Sequence, residues 1–242
     1  MKRKQGVRRS IIITLMVALM LSMMPMTVSA ASKSPAKPKI TNIKAGKVSK
    51  KTNNATVTVK WKSVKGASGY VVYEKHAADG KWRKVKTLGK LYTGIKIKKV
   101  PAGKYSVRVR AYKKAKGKKI YGKYSAAKSV FIKSKWNLKK SVYANGGKAE
   151  IDKINAAYSA QGASVGFEGN KMIITMDMEK IYPELAGYNI TAEEAQAIKA
   201  ELAKNKDLKK RANWLRNASG IKSAKLVVVV RNNGSNVCTV TF

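Results

Sequence analysis

The sequence predicts two folded parts of different class, an all-β sandwich followed by a small α+β domain with an antiparallel sheet. Three observations predict it. The first half alternates apolar and polar residues with a period of two, as in Val57, Val59 and Trp61 against Thr58, Lys60 and Lys62. Turn signals recur there every ten or so residues, and the helical periodicities fall in the second half. Charge also divides the chain, with 31 Lys and Arg against only Glu74 and Asp79 from residue 32 to 135, a formal +29, but 16 against 10 from residue 136 to 242.

In chain order, Lys2, Arg3, Lys4, Arg8 and Arg9 precede an apolar run from Ile11 to Met24 that is short for a membrane span, and Val28-Ser29-Ala30 follows. Basic, apolar and small-residue regions in that order read as a signal peptide, residues 1–30, and hence as export. Residues 31–38, with Pro35 and Pro38, read as a linker. The β-sandwich is expected over 39–133, a second linker over 134–140, and the α+β domain over 141–242. The mature protein is expected to be secreted and held non-covalently at the cell wall or surface.

Strands are predicted at Thr56–Lys62, Gly69–Tyr73, Trp82–Val85 after the Asp79-Gly80 turn, Gly94–Ile97, Tyr105–Ala111 and Lys128–Ile132. About seven short strands with regular turns are the pattern of an immunoglobulin-like sandwich. Trp61, Tyr70 and Tyr105 fall on inward phases and are assigned to its core. Val100-Pro101-Ala102-Gly103-Lys104-Tyr105 has the look of a turn followed by a corner tyrosine, and Arg108-Val109-Arg110-Ala111-Tyr112 is followed by Gly122-Lys123-Tyr124-Ser125. With Trp61 and Gly69-Tyr70-Val71-Val72-Tyr73, these residues resemble the fibronectin type III family over about residues 39–132, in the variety found in secreted proteins of Gram-positive bacteria. The resemblance implies a scaffold and leaves function to be argued from the surface.

In the second half Ile151, Ile154 and Tyr158 are spaced for a helix, and a hairpin follows around Glu168-Gly169-Asn170. Met172, Met176 and Met178 are read as core at strand spacing. Thr191-Ala192-Glu193-Glu194 is a capping box that opens a helix expected to run to Leu215 and to stop at Gly220. Asn232-Asn233-Gly234-Ser235 is the turn of a closing hairpin.

The basic surface is the strongest functional signal. Lys60, Lys62, Arg108 and Arg110 occupy outward strand phases; Lys96, Lys98, Lys99 and the run Lys113, Lys114, Lys116, Lys118 and Lys119 add to them. With 43 Lys and 9 Arg, the charge suits diffuse attraction rather than the bidentate readout that Arg provides. The expected partners are anionic cell-wall or host polymers, teichoic acid or acidic glycan, with an anionic lipid surface as a further candidate and nucleic acid a secondary one. The alternative reading is a carbohydrate-binding accessory module in which Trp82 and Tyr121 stack on sugars.

No catalytic constellation is recognised, and no cofactor or metal is expected. His76 is read as a surface histidine, Asp177 and Glu179 as edge charges at a strand end, and Glu193 and Glu194 as partners of a helix dipole. One Cys excludes a disulfide within the chain, and Cys238 is read as a buried small apolar residue, with a link between two chains as the other reading.

Overall fold

The computed structural model describes residues 34–242; the stretch read as a signal peptide and the start of the one read as a first linker lie outside the described residues. The alternating segment around Val57 becomes β2 (Asn54–Trp61), paired antiparallel to β1 (Ile40–Ala45) on one side and β5 (Gly94–Pro101) on the other. The facing sheet runs in the order β4 (Arg83–Gly89), β3 (Gly69–His76), β6 (Gly103–Ala115). The long β6 then carries two partners along one edge, β7 (Lys118–Tyr121) near its end and β8 (Lys128–Ile132) near its start.

Between the sheets lie Val57, Val59, Val72, Val107 and Val109, each fully buried, with Trp61 and Tyr70 in tilted contact at 5.6 Å between ring centroids. The Tyr70 hydroxyl accepts a hydrogen bond from the Val64 amide at 2.8 Å, so its polar end is satisfied at the core margin. Tyr105 is buried as well, and its hydroxyl donates to Glu74. This is the expected fibronectin type III-like sandwich. Pro35 and Pro38, in the stretch read as a linker, are buried. A Cβ on Gly122 would stand 2.2 Å from the Pro35 carbonyl oxygen, so only glycine lets this N-terminal segment lie so close.

The α+β part begins with α1 (Leu138–Val142), capped by the Asn137 side chain, and continues through a bent turn to α2 (Lys148–Tyr158). A hairpin of β9 (Ala163–Glu168) and β10 (Lys171–Asp177) leads through the short α3 (Met178–Ile181) to α4 (Ala192–Lys204) and α5 (Lys206–Ser219). The chain closes with β11 (Lys225–Asn232) and β12 (Ser235–Thr241). Asn233 and Gly234 both have positive φ, 50° and 74°, which matches the twist of this hairpin. Cys238 is buried, and burial raises its thiol pKa.

Three expectations for this part are corrected. The sheet, ordered β12-β11-β10-β9, is mixed: β10 and β11 are parallel, with Met172 opposite Leu226 and Ile174 opposite Val228. The long helical crossover through α3, α4 and α5 carries the chain back to the end of the sheet where β10 began, which a parallel neighbour requires. The helix opened by the Thr191 capping box stops at Lys204, because Asn205 leaves helical geometry and its side chain caps α5 instead, accepting from the Asp207 and Leu208 amides. Glu179 belongs to α3 rather than to a strand, and Asp177 pairs with Lys180 at 3.7 Å. Met172, Met176 and Met178 are half-buried.

Residues 134–140, read as a linker, are bonded to both parts. The Asn53 side chain, in a buried residue with φ of 55°, donates to the Ser134 hydroxyl at 3.1 Å and accepts from the Lys135 amide at 2.9 Å. The Ser134 amide donates to the Gly220 carbonyl at 2.8 Å, and the Trp136 indole donates to the Lys50 carbonyl at 2.8 Å. Helix α5 packs on β11 and also meets β6. That approach depends on Gly103 and Gly220: a Cβ on Gly103 would lie 2.5 Å from His76 Nε2 and 2.8 Å from the Asn217 carbonyl oxygen.

Gly103→Ala is therefore expected to cost about 2–3 kcal/mol in chemical denaturation through overpacking and positive-φ strain together. Gly117→Ala, also at positive φ but with nothing within 4 Å, should cost only about 1 kcal/mol. Equal losses for the two variants would contradict this account of the junction.

Candidate functional site

The strand register sorts the predicted basic residues into separate places. Gly89, Gly69, Tyr112 and Tyr121 form one row across β4, β3, β6 and β7. Beyond this row the chain turns at one pole of the sandwich, distal to α5. There Lys113, Lys114, Lys116, Lys118 and Lys119 occupy the β6–β7 hairpin, all exposed. Positive φ at Lys116 (47°) and Gly117 (74°) makes the hairpin tight, and Lys114 faces Lys119 directly across it. Lys62 lies at the same pole, since the Trp61 amide donates to Thr93 and the Lys62 amide to Lys39. Lys65 and Lys90 join them from the β2–β3 and β4–β5 loops; both were overlooked in the sequence because each stands alone between turn residues.

The two acids of the sandwich lie elsewhere. Glu74 pairs with Val107 and precedes the other end of β3, which places it roughly 20 Å along the strands from the hairpin lysines. At physiological salt the screening length is about 8 Å, so these carboxylates do little to neutralise the distal pole. Both are also engaged, Glu74 with Tyr105 and Asp79 in an ion pair with Arg83.

Lys60 and Lys96 stand exposed on the outer face of the β1-β2-β5 sheet, where Thr58 separates Lys44 from Lys96 in one cross-strand row. Lys98 and Lys99 lie at the proximal end instead, on the rim of a cleft of about 650 Å³ that also reaches Glu74, His76, Arg83 and Tyr105. Lys99 takes φ of 57° there.

Arg108 and Arg110 are not the free outward charges expected of them. They project from β6 into a layer of aromatic rings on the outer face of the five-stranded sheet. The Arg108 guanidinium lies 3.9 Å from the Tyr124 ring centroid and 4.3 Å from that of Trp82. Arg110 lies 4.0 Å from Tyr121 and donates to the Tyr73 hydroxyl at 2.7 Å. Both arginines are half-buried, and the Nε of each is buried without a hydrogen-bond partner. A weakly hydrated planar cation packs on rings where an ammonium would stay in water, which is why arginine occupies these two positions. Trp82 and Tyr121 each have one ring face against a guanidinium, and Tyr121 remains 41% exposed.

His76 is not a surface histidine. It is half-buried, and Nε2 lies 2.9 Å from the Ala102 carbonyl oxygen, which can only accept. The proton is thus on Nε2, and Nδ1 accepts from the Ala78 amide at 3.2 Å. Both nitrogens are in use, which leaves no lone pair for a general base. Burial lowers its pKa below the ordinary value, against weaker opposing effects of the Ala102 hydrogen bond, Asp79 and Glu74.

A second cleft, about 570 Å³, was also missed in the sequence. Phe131, Trp136, Lys133, Asn170 and Lys222 line it, and the Lys222 ammonium lies 5.3 Å from the Phe131 ring centroid. Its residues come from distant parts of the chain and share no local pattern.

Neither a protein-family model nor a curated protein matches the chain. Among solved structures, an Fn3-like protein from Clostridium thermocellum is 23% identical, with a TM-score of 0.30, over 40% of this chain and 92% of its own. The FN1–FN3 domains of chicken CNTN1 are 20% identical, with a TM-score of 0.32, over 40% of this chain and 31% of theirs. A β-1,2-glucanase from Parabacteroides distasonis is 14% identical, with a TM-score of 0.34, over 54% of this chain and 16% of its own.

The His76 geometry carries a pH dependence. Because the folded-state pKa is depressed, its contribution to stability is present above the unfolded value of about 6.5 and is lost as pH falls through the folded value. Urea unfolding midpoints should drop between roughly pH 7.5 and pH 5, and His76→Gln should flatten that drop. A wild-type midpoint that rises on acidification would contradict the assignment.

Proposed function

We propose that the protein is an exported binding module without catalytic activity, which attaches to anionic cell-wall or host polymers, teichoic acid or acidic glycan, through the lysines of its sandwich. The carrying observation is the distal pole, where Lys62, Lys65, Lys90 and the five hairpin lysines gather beyond the screening distance of either acid. These exposed, compact charges on flexible stems suit a repeating phosphate or carboxylate chain better than a single fixed ligand. The Lys44, Lys60 and Lys96 face extends the same field along one side.

A non-catalytic role is favoured by how the polar groups at the proximal cleft are occupied: Glu74 accepts from Tyr105, Asp79 pairs with Arg83, and both His76 nitrogens are bonded. The sugar-stacking reading draws less support, since guanidinium groups already cover Trp82 and Tyr121. Localisation outside the cell belongs to the proposal and rests on the signal-peptide pattern.

Binding to purified wall teichoic acid should weaken about tenfold or more between roughly 0.05 and 0.3 M salt. Replacing Lys113, Lys114, Lys116, Lys118 and Lys119 together by Gln should weaken low-salt binding by a comparable factor and flatten its salt dependence. Retention that ignores both salt and these substitutions would overturn the proposal.

A further inference from the structure

The distal pole carries a second feature that attraction to a soluble polymer does not use. Between β4 and β5 the chain turns through Gly89, with the Tyr92 amide donating to its carbonyl at 3.2 Å, and presents Leu91 and Tyr92 outward. Leu91 is 86% exposed, the highest value among the large apolar side chains of the described residues, and Tyr92 is 59% exposed. Loop tips usually carry small or polar residues, and a leucine in this position gives up the burial that would favour folding. The loop is anchored on both sides, by Gly89 opposite Gly69 and by the Thr93 carbonyl accepting from Trp61.

Lysines share this pole with the apolar tip. Lys90 precedes it directly, Lys62 follows Trp61 on the neighbouring strand, and Lys65 lies in the adjoining loop. The Lys113–Lys119 hairpin rises from the same row of residues, three strand spacings or about 15 Å away across the sheet. No carboxylate lies in any of these loops.

We propose that this pole docks on a lipid bilayer bearing anionic headgroups, with Leu91 and Tyr92 entering the interface beside a cluster of lysines. Lysines alone fit a polymer and a bilayer equally well. Leu91 separates them, because an aliphatic side chain gains nothing from a hydrated phosphate chain but does gain from the acyl boundary. Tyr92 suits the level just above, where its ring meets hydrocarbon and its hydroxyl meets water. Two apolar residues give weak attachment by themselves, and the surrounding charge supplies the second signal that stable binding to an anionic surface needs. The proposal uses the same lysines as the polymer reading but rests on it for nothing else.

The test is co-sedimentation of the full protein with vesicles of phosphatidylglycerol and phosphatidylcholine, and with phosphatidylcholine alone. The wild type should sediment with the first and not the second. Leu91→Ser with Tyr92→Ser, at exposed positions that leave the core untouched, should reduce partitioning about tenfold while leaving retention on soluble teichoic acid unchanged. The hairpin lysine-to-Gln variant should lose both. In a second measurement, tryptophan introduced by Tyr92→Trp should be quenched by brominated acyl chains. The inference is overturned if the Leu91/Tyr92 variant partitions like the wild type, if it loses teichoic acid equally, or if the wild type ignores anionic vesicles. Wild-type protein that sediments with anionic vesicles but is not retained on teichoic acid would instead remove the polymer reading and support this one.

Discussion

Repulsion among ammonium groups that no carboxylate can reach is the constraint around which the sandwich is arranged. At +29 from residue 32 to 135, with both acids of that half tied up at one pole, the compact state carries a standing electrostatic cost. What opposes it is a dry interior of small branched side chains, Val57, Val59, Val72, Val107 and Val109, closed by Trp61, Tyr70 and Tyr105. The fold keeps that cost low by placing lysines on loops and outer strand faces where water and salt screen them. An anionic partner would lower it further, which links the stability of this half to its proposed role.

Arginine and lysine are used differently on the same scaffold. Arg108 and Arg110 are drawn into the layer of Trp82, Tyr73, Tyr124 and Tyr121, where they act as packing groups for the outer sheet face. The hairpin lysines are exposed, and Lys114 facing Lys119 across the hairpin shows that the tip tolerates directly opposed like charges. The contrast decides which cations remain available to a ligand. At the other pole His76, Gly103, Gly220, Ser134 and Asn53 make a tight polar joint.

Features governed by neighbours in sequence were legible without the structure. Alternation at Val57, Val59 and Trp61 identified β2 and its inward face; the Thr191 capping box opened α4; Asn233-Gly234 turned the last hairpin. Features set by register were not legible. Nothing local tells that β10 and β11 run parallel, that Asn205 caps a new helix, or that Tyr124 and Trp82 both pack against Arg108. The gathering of Lys62, Lys65, Lys90 and the hairpin lysines at one pole is of the same kind. Charge could be counted from the sequence, but its position along the strands depends on pairings such as Gly69 with Tyr112.

The most direct measurement is residue-resolved NMR on addition of a short soluble oligophosphate at low salt. Amide shifts are predicted to concentrate at Lys62–Ala67, Lys90–Thr93 and Lys113–Lys119, and to vanish as salt is raised. Shifts spread evenly over the lysines of both parts, or centred on the proximal cleft around Lys98 and Lys99, would contradict a localised distal site.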